Sequence, residues 1–246
     1  MVLRAAGLTK RFGGLTALDG IDLEVRAGEL RAIIGPNGSG KTTLFHLLSR
    51  ALEPTAGTIE FRGREITRTP QHRMAHLGLA RSFQITSLFP ELSVFENVRV
   101  AVQARRTMLN FWSATDRLGA INQRAGALLA ELGMAARGRE PAGVLSHGEQ
   151  RYLEIGLALA ADPVLLLLDE PTAGMSPQET RDAAQFIAGL KRRLTVLLVE
   201  HDMDIVMSIS DRITVLHQGR IIADGAPADV AADAQVRAVY LGEAPP

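Results

Sequence analysis

Two short segments of this chain carry residues that could do phosphate chemistry together. The first, Gly35-Pro36-Asn37-Gly38-Ser39-Gly40-Lys41-Thr42, has the spacing GxxxxGK[ST]. Its glycines let backbone N–H groups turn inward around phosphate oxygens. A helix beginning near Thr43 would add its partial positive charge. Lys41 would reach the β- and γ-phosphates of a nucleotide and Thr42 would hold Mg²⁺. The second segment is the apolar run Val164–Leu168, which ends at Asp169-Glu170. A carboxylate closing a buried strand is costly unless it meets a cation, so Asp169 suits a direct or water-bridged role on Mg²⁺. Glu170 would point toward an attacking water, as general base or as the group that orients it. Read singly, the first could be a glycine turn with a surface lysine and the second an exposed carboxylate pair. Read together, they describe nucleotide hydrolysis.

Elements must hold these segments in place. Leu30–Ile34 runs into Gly35, Val164–Leu168 into Asp169, and Thr195–Val199 into Glu200-His201. Runs this short and apolar read as buried strands of a parallel sheet. Each leads through a turn into a helical stretch, which predicts an α/β fold with helices on both faces. The functional residues then fall at the C-terminal ends of strands, where such sheets bind ligands. Gly57–Ile66 alternates around Gly63 like a small antiparallel hairpin. From about Ser87 to Gly143 the pattern is largely helical, with Ile121, Ala125, Leu128, Leu129 and Leu132 at helix spacing before Gly133. This stretch is an insertion into the α/β core. Ile213–Leu216 and Arg220–Ala223 flank His217-Gln218-Gly219 as a strand–turn–strand. The Ala-rich tail Ala228–Val239 predicts one short helix.

A third segment makes the pattern specific. Leu145-Ser146-His147-Gly148-Glu149 precedes a helical stretch, Gln150–Ala160, and Ser146 with Glu149 has the spacing of a capping box. In this order the three segments resemble the ATP-binding cassette family. Leu145, Ser146 and Gly148 match its signature, while His147 and Glu149 stand where glycine and glutamine are usual. The resemblance implies a P-loop NTPase (RecA-like) parallel-sheet core with a small antiparallel β lobe and an inserted helical subdomain. It divides a single domain, 1–246, into a core of about 1–86 and 152–227, a helical subdomain of about 87–151, and a tail, 228–246. It also implies that Ser146 and Gly148 bind the γ-phosphate of ATP held by a second subunit. Gln84 becomes the glutamine that touches Mg²⁺, His201 the switch histidine at the γ-phosphate, and Phe12 the aromatic that stacks on adenine. Gly35, Asn37, Gly38, Ser39, Gly40, Lys41, Thr42 and Thr43 become the phosphate cradle. Ser176 stands where many cassettes have aspartate.

The chain has 246 residues, 46% of them hydrophobic, enough for a sizeable core. Its 27 basic and 27 acidic residues balance, which leaves no electrostatic footprint for nucleic acid. Cysteine is absent, so disulfides and thiolate metal sites are excluded, as fits a cytosolic protein. No apolar run approaches the ~20 residues of a spanning helix, and no signal peptide is visible. Any membrane role is expected to come through a partner. His72 and His76 lack a third ligand at metal-like spacing. Trp112 beside Phe111 suits packing or docking. Several stretches, among them Ala80-Arg81-Ser82-Phe83-Gln84, Val94-Phe95-Glu96-Asn97-Val98, Ala173-Gly174-Met175-Ser176-Pro177 and Tyr240-Leu241-Gly242-Glu243, look like the ATP-binding subunits of branched-chain amino-acid importers. That resemblance implies a peripheral subunit at the cytoplasmic face of the cell membrane. Its expected partners are a second cassette, identical or related, two membrane permeases and an extracytoplasmic substrate-binding protein. The permease dock is expected near Ile85–Trp112. Relatives that carry urea or amides, lipid or lipopolysaccharide exporters, and soluble cassettes without a transport role are the alternatives.

Overall fold

In the computed structural model the described residues are 1–82, 88–105 and 114–241. The chain opens with two long strands, β1 (Leu3–Phe12) and β2 (Leu15–Val25), followed by β3 (Leu30–Ile34) and α1 (Lys41–Leu48). Next come β4 (Ala56–Phe61), β5 (Arg64–Glu65), α2 (Met74–Leu77) and β6 (Leu79–Arg81). Two helices of the insertion are α3 (Val94–Arg105) and α4 (Ala114–Glu131). Then α5 (His147–Leu159), β7 (Leu165–Asp169), α6 (Pro177–Leu190), β8 (Thr195–Val199) and α7 (Met203–Ile209) alternate. The chain ends with β9 (Arg212–His217), β10 (Arg220–Gly225), α8 (Pro227–Ala232) and α9 (Ala234–Leu241).

The strands form two sheets, β2-β1-β4-β5 and β10-β9-β3-β8-β7-β6. The first is antiparallel throughout. In the second, β6, β7, β8, β3 and β9 are parallel, and only the edge strand β10 runs against its neighbour. Strand alternation divides the core. Leu166, Leu168, Val196 and Leu198 pack toward the helices of the insertion, α5 and α6. Leu165, Leu167, Leu197 and Val199 pack toward α1 and the antiparallel sheet. A third cluster, including Ile34, Val215, Val230 and Val236, holds the C-terminal helices. Buried Arg31 donates to Glu29, Thr214 and Asp224, which fastens the β9–β10 hairpin to β3.

The antiparallel lobe is larger than Gly57–Ile66 predicts, because β1 and β2 supply its two longest strands. The tail is also not one helix. Asp233 takes an extended conformation and its side chain accepts from the N–H groups of Gln235 and Val236, so it ends α8 and caps α9. Gly133, at φ 69°, follows the last turn of α4 as its spacing predicts. Among the described residues no helix is long and apolar enough to cross a membrane.

Candidate active site

The order β9-β3-β8-β7-β6 sets four strand ends side by side. The loop after β3 begins at Gly35, that after β8 carries His201, that after β7 carries Glu170, and that after β6 begins at Ser82.

The loop between β3 and α1 is shaped by what its glycines lack. A Cβ on Gly35 would lie 2.2 Å from the carbonyl oxygen of Leu216 on β9. Gly40 has φ 106°, and a Cβ there would meet Leu18 Cδ2 at 2.7 Å. Gly40 is the N-cap of α1 and supplies no side chain to its first N–H groups. Those donors are therefore left for an anion. Asn37, Gly38 and Thr42 are exposed at the loop mouth, Thr43 is half-buried behind it, and Ser39 is buried with an unpartnered hydroxyl. Lys41 Nζ donates to the carbonyls of Gly35, at 2.6 Å, and Pro36, at 3.1 Å. Burial pushes the Lys41 ammonium below its ordinary pKa, while the carboxylates of Glu170 and Asp169 pull it back up. The cradle, the uncapped helix and the orphaned hydroxyl together fit a polyphosphate.

Asp169 is buried and does meet a cation, which is Arg81: Nη2 donates to Oδ2 at 2.9 Å. Its N–H donates to Ser82 Oγ at 3.4 Å. Sequence reasoning missed both partners. Their signal was a charged residue closing an apolar stretch just before Gln84. His46 lies in the same neighbourhood; burial and then the Arg81 guanidinium lower its pKa, and Asp169 opposes them. Glu170 has φ 47°, a left-handed conformation that a glutamate holds only under constraint. Its N–H donates to the Val199 carbonyl at 2.9 Å, continuing the β7–β8 ladder. Its carboxylate stands 3.9 Å from His201 Nδ1, with both side chains open to solvent. Beneath them Glu200 is buried and accepts from the Thr172 N–H, from the Thr172 hydroxyl and from the His201 N–H. That buried carboxylate ties the Glu170 loop to the His201 loop.

Ser146 is the N-cap of α5, and the capping box with Glu149 is complete. Gly148 is buried beside it. The signature thus stands at a helix N-terminus, in contact with the N-terminus of α6 through a Ser146–Glu179 hydrogen bond. Ser176 caps α6 in a second box, with Glu179 as its return partner. Phe12 is 46% exposed, under Lys10 Nζ at 5.1 Å from its ring centroid. Ala17 and Leu18 on β2 are the residues of that lobe that touch Gly40. Gln84 lies outside the described residues, as do Phe83, Phe111 and Trp112. His72 and His76 are exposed on the short turn and helix before β6.

The ABC transporter family pattern matches residues 18–173, from the β2 contact with Gly40 through Asp169-Glu170. The chain belongs to the ABC transporter ATPase family. A second pattern, that of the branched-chain amino acid ATP-binding cassette transporter, matches residues 220–245 of the cassette. The cassette is 42% identical to the high-affinity branched-chain amino acid transport ATP-binding protein BraF of Pseudomonas aeruginosa, over 99% of this chain and 98% of that one. It is 40% identical to the corresponding protein LivG of Salmonella typhimurium and 38% to that of Escherichia coli, over the same shares. Among solved structures, an ATP-binding cassette of an ABC transporter in its ADP conformation matches with a TM-score of 0.86 at 31% identity. That match covers 98% of this chain and 99% of the other. A nucleotide-free cassette matches with a TM-score of 0.85 at 30% identity, over 98% and 99%. A dimeric bacterial ABC transporter cassette shares the fold with a TM-score of 0.79 at 23% identity.

Proposed function

We propose that this cassette hydrolyses ATP to power import of branched-chain or other hydrophobic amino acids through two separate permease subunits. It works at the cytoplasmic face of the cell membrane, paired with a second cassette, identical or related, and supplied by an extracytoplasmic substrate-binding protein. The observation that carries the reaction is the approach of Glu170 to His201 at the strand ends, with the Glu170 carboxylate also within electrostatic reach of Lys41. The cargo rests on the end-to-end likeness to BraF and LivG and on the tail pattern.

In this reading Gly35, Asn37, Gly38, Ser39, Gly40 and Thr43 wrap the phosphates, and Lys41 trades its two loop carbonyls for β- and γ-phosphate oxygens. Phe12, exposed on the antiparallel lobe, stacks on adenine. Thr42, Asp169 and Gln84 would hold Mg²⁺, which when bound would neutralise phosphate charge. Glu170 accepts a proton from, or orients, the attacking water, and His201 assists at the γ-phosphate. Ser146 and Gly148 complete the site of the facing subunit. The division into a core of about 1–86 and 152–227, a helical subdomain of about 87–151 and a tail of 228–246 belongs to the same reading. A largely apolar cleft of about 580 Å³ lies beside the segment expected to dock the permease, with Phe89, Val100 and Ala101 facing Met74, Leu157 and Ala158. Closure of the cassettes would move the permeases through that cleft, and hydrolysis would let them reopen.

Glu170→Gln is expected to bind ATP as the parent does and to lose hydrolysis by about 10²–10⁴-fold. Phosphate release and a nucleotide titration measure the two parts, and parental turnover in the variant overturns the role of Glu170. For the cargo, the protein is purified from mild-detergent extracts of its native membranes. Two permeases and a second cassette are the expected companions, and they permit a direct amino-acid uptake assay. A soluble or ribosomal partner without a permease overturns the transport reading.

A further inference from the structure

One carboxylate stands against both signature residues of this cassette. Ser146 Oγ donates to Glu179 Oε1 at 3.2 Å. A Cβ on Gly148 would lie 2.6 Å from both Cδ and Oε1 of Glu179, and 2.8 Å from Oε2. The two signature residues assigned to phosphate therefore share a neighbour, and that neighbour is an anion. The Ser176 N–H donates to Glu179 Oε2 at 2.8 Å, and the Glu179 N–H donates back to Ser176 Oγ at 3.4 Å. Hydrogen bonds to the carboxyl, first from the Ser176 N–H and then from the Ser176 side chain, hold it below the ordinary glutamate range, so it is charged at neutral pH. The carboxylate sits at the N-terminus of α6, in hydrogen-bond contact with the N-cap of α5. Both are helix ends that favour negative charge. A phosphate oxygen would seek the same hydroxyl and the same helix end, and it would be repelled by the carboxylate already there.

We infer that Glu179 is a placeholder for the γ-phosphate at the signature, a positioning residue that holds Ser146 and the α5 N-terminus in their binding geometry and must withdraw when ATP arrives from the facing subunit. The inference rests on the reading of Ser146 and Gly148 as phosphate ligands. Ser176 is what allows it. As N-cap of α6 it anchors Glu179 through the capping box, and the box can hold the carboxylate over Ser176 once Ser146 has let go.

The test uses the assembled transporter, purified with its permeases and whichever second cassette accompanies it. Phosphate release is followed against ATP concentration. Glu179→Gln keeps the shape and the return bond of the capping box but removes the charge. It is expected to lower the KM for ATP about threefold or more while kcat stays within about twofold. A merely structural glutamate would weaken ATP use or leave it alone, so an unchanged or raised KM overturns the inference. Glu179→Asp retains the charge on a side chain one methylene shorter, which cannot span from Ser176 to Ser146. A KM lowered as far as in Glu179→Gln would show that contact with Ser146, and not charge alone, sets the barrier, which also supports the inference. Ser146→Ala tests the underlying reading separately. Parental kcat/KM in that variant removes the phosphate role of the signature, whereas a loss there with parental KM in Glu179→Gln removes only the placeholder. Thermal unfolding of each preparation separates misfolding from either result.

Discussion

At the scale of single residues, the site is set by atoms that are missing as much as by those present. Because a Cβ on Gly35 would overlap the Leu216 carbonyl, Gly35→Ala must push β9 and the phosphate loop apart. Gly35→Ala is expected to lower stability by about 1–3 kcal/mol, as overpacking does, and to weaken ATP binding in step, read by urea unfolding and nucleotide titration. The Arg81–Asp169 pair makes the opposite point. Asp169 is buried and Arg81 half-buried, so Arg81→Met would leave a buried carboxylate without its cation. Breaking such pairs costs about 3–5 kcal/mol, and a urea midpoint equal to the parent's would show that solvent already reaches Asp169. Asp169 itself was legible, since an acidic residue closing a run of leucines is a recognisable signal. Arg81 was not, because it reaches Asp169 from a strand of three residues that is too short to show a period.

At the scale of elements, three helices begin the same way. Ser93 with Glu96, Ser146 with Glu149, and Ser176 with Glu179 each exchange reciprocal bonds at the starts of α3, α5 and α6. All three glutamates titrate below their ordinary range. For Glu96 and Glu179 the Ser N–H bond is the largest cause; for Glu149 burial pushes upward but is outweighed by bonds from Ser146 and Arg137. A carboxylate whose pKa is lower in the folded chain stabilises it above its unfolded pKa and loses that contribution as pH falls through the folded value. Stability is therefore expected to be flat above about pH 5 and to drop below about pH 4.5. Urea midpoints across that range, compared with a Glu96→Gln variant, should show a shallower fall in the variant. The spacing Ser-x-x-Glu was readable at all three places, though Ser146–Glu149 alone stood out beside the phosphate chemistry. The strands β1 and β2 were hidden for a different reason. Their pairing slips at three points between Ala5 and Arg11, so alternation never runs long enough to show as a period of two.

At the scale of the whole molecule, the parallel sheet is a wall with a different core on each side, and the catalytic loops hang from its edge. Leu168, fully buried one residue before Asp169, faces the helical side. Leu168→Ala is expected to cost about 2–5 kcal/mol, seen as a lower midpoint of unfolding. The central strands β3, β7 and β8 of this wall were legible from their apolar runs, because both faces are covered and nothing interrupts them, whereas the three-residue β6 was not. The two-helix tail was not, because a single aspartate decides where one helix stops. That tail reaches further than its place at the end of the chain suggests. Val236 on α9 is buried in one cluster with Ile34, the residue before Gly35, and with Val215 on β9. The segment whose pattern marks the branched-chain class therefore packs against the strand that carries the loop every cassette shares. Whatever tugs on the end of this chain, a regulator or a purification tag, pulls at the mouth of the motor.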